Sequence, residues 1–148
     1  MTTARRNLGT LADRLAAYDR LVEVGIGRRT ELAATLVEAG TAVTATDIGR
    51  REVPDGVGFV VDDVVEPDLA VYEDAEAIYA RNLPPELHRP TLEVAERVGA
   101  DFLFTTLGGD QPAVPVERRT VREGTVYVAR EFDGPTREDG RSYQGPRE

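Results

Sequence analysis

The side chains of this 148-residue chain best placed for chemistry are acidic, and they stand at the ends of short apolar runs. Glu23-Val24-Gly25-Ile26-Gly27 closes the run that begins at Leu21, Asp47 closes Ala42 to Thr46, and Asp62-Asp63 closes Phe59 to Val61. Glycines behind a strand let the backbone approach a ligand closely, and the N-terminus of the helix that follows favours negative charge. An acid ending the second strand, about twenty residues on, can accept both hydroxyls of a ribose. A carboxylate ending the third can receive an adenine amino group. Glu23, Gly25, Gly27, Asp47, Asp62 and Asp63 together describe an adenosine-shaped binding site, with no catalytic residue evident beside it.

Other chemistries are excluded by residues the chain lacks. There is no cysteine, hence no disulfide, thiolate nucleophile or cysteine metal site. The single serine, Ser142, lies in a tail without apolar residues to anchor it, which argues against a serine-hydrolase triad, and the single histidine, His88, rules out a multi-histidine metal site. His88 is expected in an exposed turn. Asp62 and Asp63 could form a metal pair, but no third ligand stands at suitable spacing. All eighteen basic residues are arginine, so lysine-dependent phosphate and Schiff-base chemistry are absent. Against 27 acids they leave a net charge of −9. Acid excess with no lysine fits a high-salt cytoplasm, where screening removes self-repulsion; the arginine codons of a GC-rich genome are the alternative. Nothing approaches the roughly 18 to 20 apolar residues of a membrane helix. The start of the chain lacks an apolar signal core, so a cytoplasmic protein is expected, with nucleic acid not indicated as a partner.

The acids need elements to hold them. Leu8, Leu11, Ala12 and Leu15 have helical spacing over residues 4–17, with Thr3 as N-cap. Strands are expected at 21–24, 42–46, 59–61, 77–80 and 101–107. Helices are expected at 30–39, closed by Gly40, and from Pro90 to Val98, closed by Gly99, with a helical turn at 68–72. Two last strands, 114–121 and 125–132, read as a hairpin through Arg122-Glu123-Gly124. Strands alternating with helices imply an α/β, three-layer, Rossmann-like sheet, mostly parallel, with a C-terminal antiparallel hairpin. Residues 1–132 are then one domain and 133–148 a disordered tail. Ligands bind such sheets beyond the carboxyl ends of the strands.

Two cofactors compete for the site. The dinucleotide fingerprint wants glycine or alanine three residues past the second glycine, where Thr30 stands, so NAD is the second choice. S-adenosylmethionine enzymes tolerate that departure and favour an acid before the first glycine, as at Glu23, which resembles the class I methyltransferases. Arg28 and Arg29, at a helix N-terminus where cations are disfavoured, either answer a ligand anion or are solvated surface residues. Asn82-Leu83-Pro84-Pro85 follows the fourth strand where amino-methyltransferases carry an Asn/Asp-Pro-Pro-aromatic motif. Leu83 is inserted and Glu86 replaces the aromatic residue, so a structural turn is the preferred reading. Tyr79 is expected in the core.

Val22-Glu23-Val24-Gly25-Ile26-Gly27, Thr46-Asp47-Ile48, Asp62-Asp63-Val64, Ile78-Tyr79 and Pro84-Pro85-Glu86-Leu87 resemble the small archaeal uncharacterised protein family 0146 over about residues 5–110. The resemblance implies a Rossmann-like fold similar to that of S-adenosylmethionine-dependent methyltransferases, in a haloarchaeal member, and no established activity. Arg81-Asn82-Leu83 departs from a basic-proline run common in that family. Three functions follow as expectations: a methyltransferase-like domain binding S-adenosylmethionine, with substrate-side residues from Tyr79 to Glu86 and from Gly108 to Gln111, a non-enzymatic ligand-sensing or interaction module, and an NAD-binding regulatory domain.

Overall fold

In the computed structural model, residues 8–131 are described. The expected Thr3 cap and the expected disordered tail lie outside them. Seven strands form one sheet: β1 Arg20–Val24, β2 Ala42–Asp47, β3 Gly58–Val61, β4 Ala77–Ala80, β5 Asp101–Phe104, β6 Glu117–Val121 and β7 Gly124–Arg130. Their order is β3-β2-β1-β4-β5-β7-β6. The first five pair in parallel, whereas β7 pairs antiparallel with both β5 and β6. The α/β Rossmann-like architecture with a terminal hairpin is therefore the one expected. The chain runs from β1 outward to β2 and β3, then crosses to β4 on the other side of β1. That reversal puts the switch point of the sheet between β1 and β4.

Alternation along β1 divides the core between the two faces of the sheet. Val22 and Val24 pack with Leu92, Val94 and Ala95 of helix α3 (His88–Val98), and with Tyr72 beside the 3-10 turn Leu69–Val71. Leu21 packs on the opposite face with Leu15 of α1 (Leu11–Leu15) and with Ala33 and Leu36 of α2 (Glu31–Glu38). Tyr79 lies in that second core, as its apolar surroundings predict.

Several boundaries differ from expectation for local reasons. Helix α1 begins only after Thr10, whose hydroxyl accepts from the Asp13 N–H while the Asp13 carboxylate accepts from the Thr10 N–H. This reciprocal cap starts the helix well inside the expected range 4–17. Strand β5 stops at Phe104 because the Thr105 carbonyl turns to accept from Leu83 N–H. Strand β6 begins at Glu117, after Pro115, which has no N–H to give a ladder. Helix α3 starts at His88, two residues before Pro90. His88 consequently faces the sheet and is fully buried, contrary to the exposed turn expected of a lone polar residue in a proline-rich run. Gly99 closes α3 in a left-handed conformation, φ +76°. No helix among the described residues is long and apolar enough to cross a membrane.

Candidate functional site

The carboxyl ends of the parallel strands carry two depressions, one on each face of the sheet. The smaller, a cleft of about 190 Å³, is lined by Gly25, Asp47, Asp62 and Asp63 together with Ile48 and the loop 81–84. Four of the six predicted binding residues thus meet there. Glu23 and Gly27 do not line it.

Gly25 and Gly27 both adopt left-handed backbone conformations, φ +70° and +58°. A side chain at either would strain the turn, so the spacing of these two glycines follows from its geometry. The turn is sewn to the end of β2. The N–H groups of Gly25 and Ile26 both donate to the Thr46 carbonyl, at 2.9 and 3.0 Å, and that of Gly27 donates to Asp47 Oδ2 at 2.8 Å. Asp47 Oδ1 accepts from the Ile48 N–H at 2.8 Å, and Arg51 pairs with Oδ2 at 3.4 Å. Asp47 is buried and so joins the glycine turn to β2. Oδ1 retains a second lone pair, whereas Oδ2 faces both the Gly27 N–H and Arg51.

Asp62 and Asp63 differ in the same way. Asp62 accepts from the Tyr72 hydroxyl at 2.6 Å and from the Asp68 N–H at 3.0 Å. Burial, followed by that bond to the carboxylate, holds the Tyr72 hydroxyl well above the usual phenol range. Asp63 is exposed and accepts from the Val65 N–H at 2.9 Å. Asp62 braces the β3 loop, and Asp63 presents its carboxylate to the cleft mouth. Ile48 stands at the same rim, 76% exposed, an apolar surface beside the three carboxylates.

The loop after β4 divides the two depressions. Asn82 holds φ +52°, a left-handed conformation that asparagine tolerates better than most residues. The loop is pinned to β5 by Asn82 N–H donating to Thr105 Oγ1 and Leu83 N–H to the Thr105 carbonyl, both at 2.9 Å. His88 secures it from below. Its Nε2 lies 2.8 Å from the Leu83 carbonyl, and its Nδ1 accepts from the Ala113 N–H at 3.0 Å, so Nε2 carries the proton. Phe104 packs against the imidazole with ring centroids 4.4 Å apart. The segment is thus a fastened turn, and His88 positions it.

Across the divider, a pocket of about 570 Å³ opens between α1, the start of α2 and the β6–β7 hairpin, with Tyr79, Arg81 and Thr105 among its lining residues. Arg81 and Asn82 line both depressions. Glu23 is opposite Tyr79 in the β1–β4 ladder. Both residues are out of solvent, and Glu23 Oε1 and the Tyr79 hydroxyl have no partner in hydrogen-bond geometry among the described residues. Burial pushes the Glu23 carboxyl up to about 7, against the pull of the Arg81 charge. Burial, with Glu23 adding to it, pushes the Tyr79 hydroxyl up to about 12.

Ile48, Thr105 and His88 were not singled out as site residues in the sequence, whereas Arg81 lies in the stretch Tyr79 to Glu86 expected to supply substrate-side residues. For Arg81 and Thr105 a signal was present: each is the first residue past a parallel strand, the same position that marks Asp62. Arg28 and Arg29 are exposed and make no ion pair among the described residues, and only Arg29 reaches the larger pocket.

Comparisons with known proteins agree with this fold. The model of the Uncharacterised protein family (UPF0146) matches residues 6–132. A UPF0146 protein of Halobacterium salinarum is 56% identical over 123 residues, 82% of this chain and 95% of the relative. One from Archaeoglobus fulgidus is 47% identical over 102 residues, 68% of this chain and 78% of the relative. Among solved structures, an S-adenosyl-L-methionine methyl transferase from Silicibacter pomeroyi superposes with a TM-score of 0.55 at 13% identity, covering 81% of this chain and 86% of that one. An RNA methyltransferase from Salinibacter ruber in complex with S-adenosyl-L-homocysteine gives 0.51 at 18% identity, covering 84% and 93%. At such identities the likeness is one of fold.

Proposed function

The chain belongs to the Uncharacterised protein family (UPF0146), and we propose that it binds an adenosine-containing ligand, S-adenosylmethionine, in the smaller cleft, as a small methyltransferase-like protein of the cytoplasm. The observation that carries this reading is the convergence of Gly25, Asp47, Asp63 and the exposed Ile48 on one cleft beside the switch point. Asp47 accepts a ribose hydroxyl through the remaining lone pair of Oδ1, Asp63 accepts the adenine amino group, and Ile48 covers one face of the base. Asp62, half-buried and bonded to the Tyr72 hydroxyl and the Asp68 N–H, serves as the brace of Asp63. Glu23, Gly25 and Gly27 shape the turn. Methyl transfer from a sulfonium needs mainly alignment of the reactants, which a fastened loop supplies without a strong base.

Support for S-adenosylmethionine over NAD comes from the sheet. A dinucleotide fold repeats its mononucleotide unit with a sixth parallel strand. Here that place is taken by the antiparallel β7. One observation favours the alternative of a non-enzymatic module: the N–H groups of Gly25, Ile26 and Gly27 are all bonded within the chain.

Titration of the ¹⁵N-labelled protein at molar salt with S-adenosylhomocysteine, adenosine and NAD separates these readings. The homocysteine nucleoside is expected to bind most tightly and NAD least, with shifts at Gly25, Ile48 and Asp63. Asp63→Ala should weaken binding about tenfold with the spectrum otherwise intact. Absence of any shift at millimolar ligand overturns the proposal and leaves the interaction module.

A further inference from the structure

Arg81 is half-buried at the end of β4 and has no ion pair among the described residues. Nine of the thirteen described arginines form no ion pair, but only Arg81 and Arg130 among those nine are half-buried, and Arg130 donates to the Ala100 carbonyl at 2.8 Å. A guanidinium partly removed from water and left unpaired costs stability that a bound carboxylate or phosphate would return, through a bidentate pair. Arg29, also without an ion pair, lines the same 570 Å³ pocket. The pocket's acids do not answer these cations. Glu123 accepts from the Leu11 N–H at 2.9 Å, and Glu31 is exposed in the first turn of α2, where it complements the helix dipole. Glu23, the buried acid behind Arg81, is driven toward its neutral form.

The remaining lining suits a small organic molecule. Leu32, Val121 and Val126 provide apolar wall, and the hydroxyls of Thr35, Thr105 and Thr125 are spread among them. A volume of about 570 Å³ lies within the range of small-molecule sites and is three times that of the cleft. Beneath it the Tyr79 hydroxyl, a donor within a residue wholly out of solvent, has no partner. Thr105 and Arg81 lie close enough to favour its ionised form, although neither meets hydrogen-bond geometry with it.

We propose that this pocket binds a second small molecule carrying a carboxylate or phosphate, whose anion pairs with Arg81 and is drawn in by Arg29. On the methyltransferase-like reading, from which the proposal takes its meaning, that molecule is the substrate lying across the Arg81-Asn82 divider from the adenosine ligand. The binding claim itself stands on this pocket.

The test uses four probes of one shape at one salt concentration: benzoate and phenyl phosphate as anions, benzamide as the neutral form and benzylamine as the cation. Benzoate and phenyl phosphate should shift the amides of Leu32, Thr106 and Val126, with affinity about tenfold above that of benzamide. Arg81→Gln should bring the benzoate-to-benzamide ratio close to one, and Arg81→Lys should restore most of it. Arg29→Gln should lower anion affinity severalfold and leave adenosine binding as it was. Equal binding of all four probes, retention of the ratio in Arg81→Gln, or no binding at millimolar concentration overturns the proposal. Competitive displacement of benzoate by S-adenosylhomocysteine also overturns it, because the anion site would then serve the ligand's own carboxylate. Anion binding without any adenosine binding keeps the pocket and removes the cofactor reading, so the two failures are distinct.

Discussion

The two depressions flanking the β4 loop are built on opposite principles. In the cleft, polar groups are satisfied before any ligand arrives: Asp47 holds the glycine turn, and Tyr72 holds Asp62. At the larger pocket they are not: the Tyr79 hydroxyl in its lining and Glu23 Oε1 on the residue opposite Tyr79 are buried without hydrogen-bond partners among the described residues, and Arg81, on the wall shared with the cleft, has no ion pair there. A satisfied network rigidifies a site and contributes to stability, whereas an unsatisfied one lowers stability and leaves interaction energy for a ligand. The glycine turn and its acids therefore act as scaffold, with recognition at their outer lone pairs, while the opposite face retains its polar interactions for binding.

The largest expected effect is that of Glu23. Burial raises its folded-state pKa from 4.5 to about 7. Between those values the folded chain keeps a proton that the unfolded chain has released, so this carboxyl's contribution is complete below pH 4.5 and is lost as pH rises through 7. The loss amounts to roughly 3 kcal/mol. Glu23→Gln should be more stable than the parent at pH 8 by up to that amount and indistinguishable at pH 4, as read by urea unfolding at the two pH values. A constant difference across the range would mean that folding does not shift the Glu23 carboxyl, and the contrast between the faces would weaken.

A pair of tyrosines tests the same contrast directly. Tyr72→Phe removes a bond to a carboxylate and should cost about 1.5 to 3 kcal/mol. Tyr79→Phe removes a hydroxyl with no partner and should be neutral, or stabilising by about 1 kcal/mol. Chemical denaturation of both variants gives the comparison, and equal costs would break it. The smallest effect concerns salt. Moving from low to molar salt should raise the unfolding midpoint of every variant steeply, because 27 acids repel one another until screened. The difference between the two tyrosine variants should stay constant within about 0.5 kcal/mol, since both rings are out of solvent. A midpoint that does not change with salt would point to codon bias as the origin of the lysine-free composition.

What could be read in the chain itself were periods and punctuation. Apolar alternation at 21–24 and 42–46, helical spacing at Leu32, Ala33 and Leu36, and glycines at 40 and 99 depend on local backbone preference and burial, and these specify the order of elements. The right-handed crossover rule then assembles a parallel sheet and puts Gly25, Asp47 and Asp63 at one end of it. Gly25 and Gly27 were legible because only glycine enters a left-handed turn without strain. Partners distant in sequence were not legible. That Asp62 faces Tyr72 and is thereby a brace, that His88 lies under Leu83 and Ala113, and that Glu23 meets Tyr79 across β1 and β4 without a hydrogen bond are consequences of register and packing. Residue type shows that a group can donate, accept or ionise. Whether it is satisfied depends on which atoms the tertiary structure brings within about 3 Å of it, and that decides between scaffold and binding group.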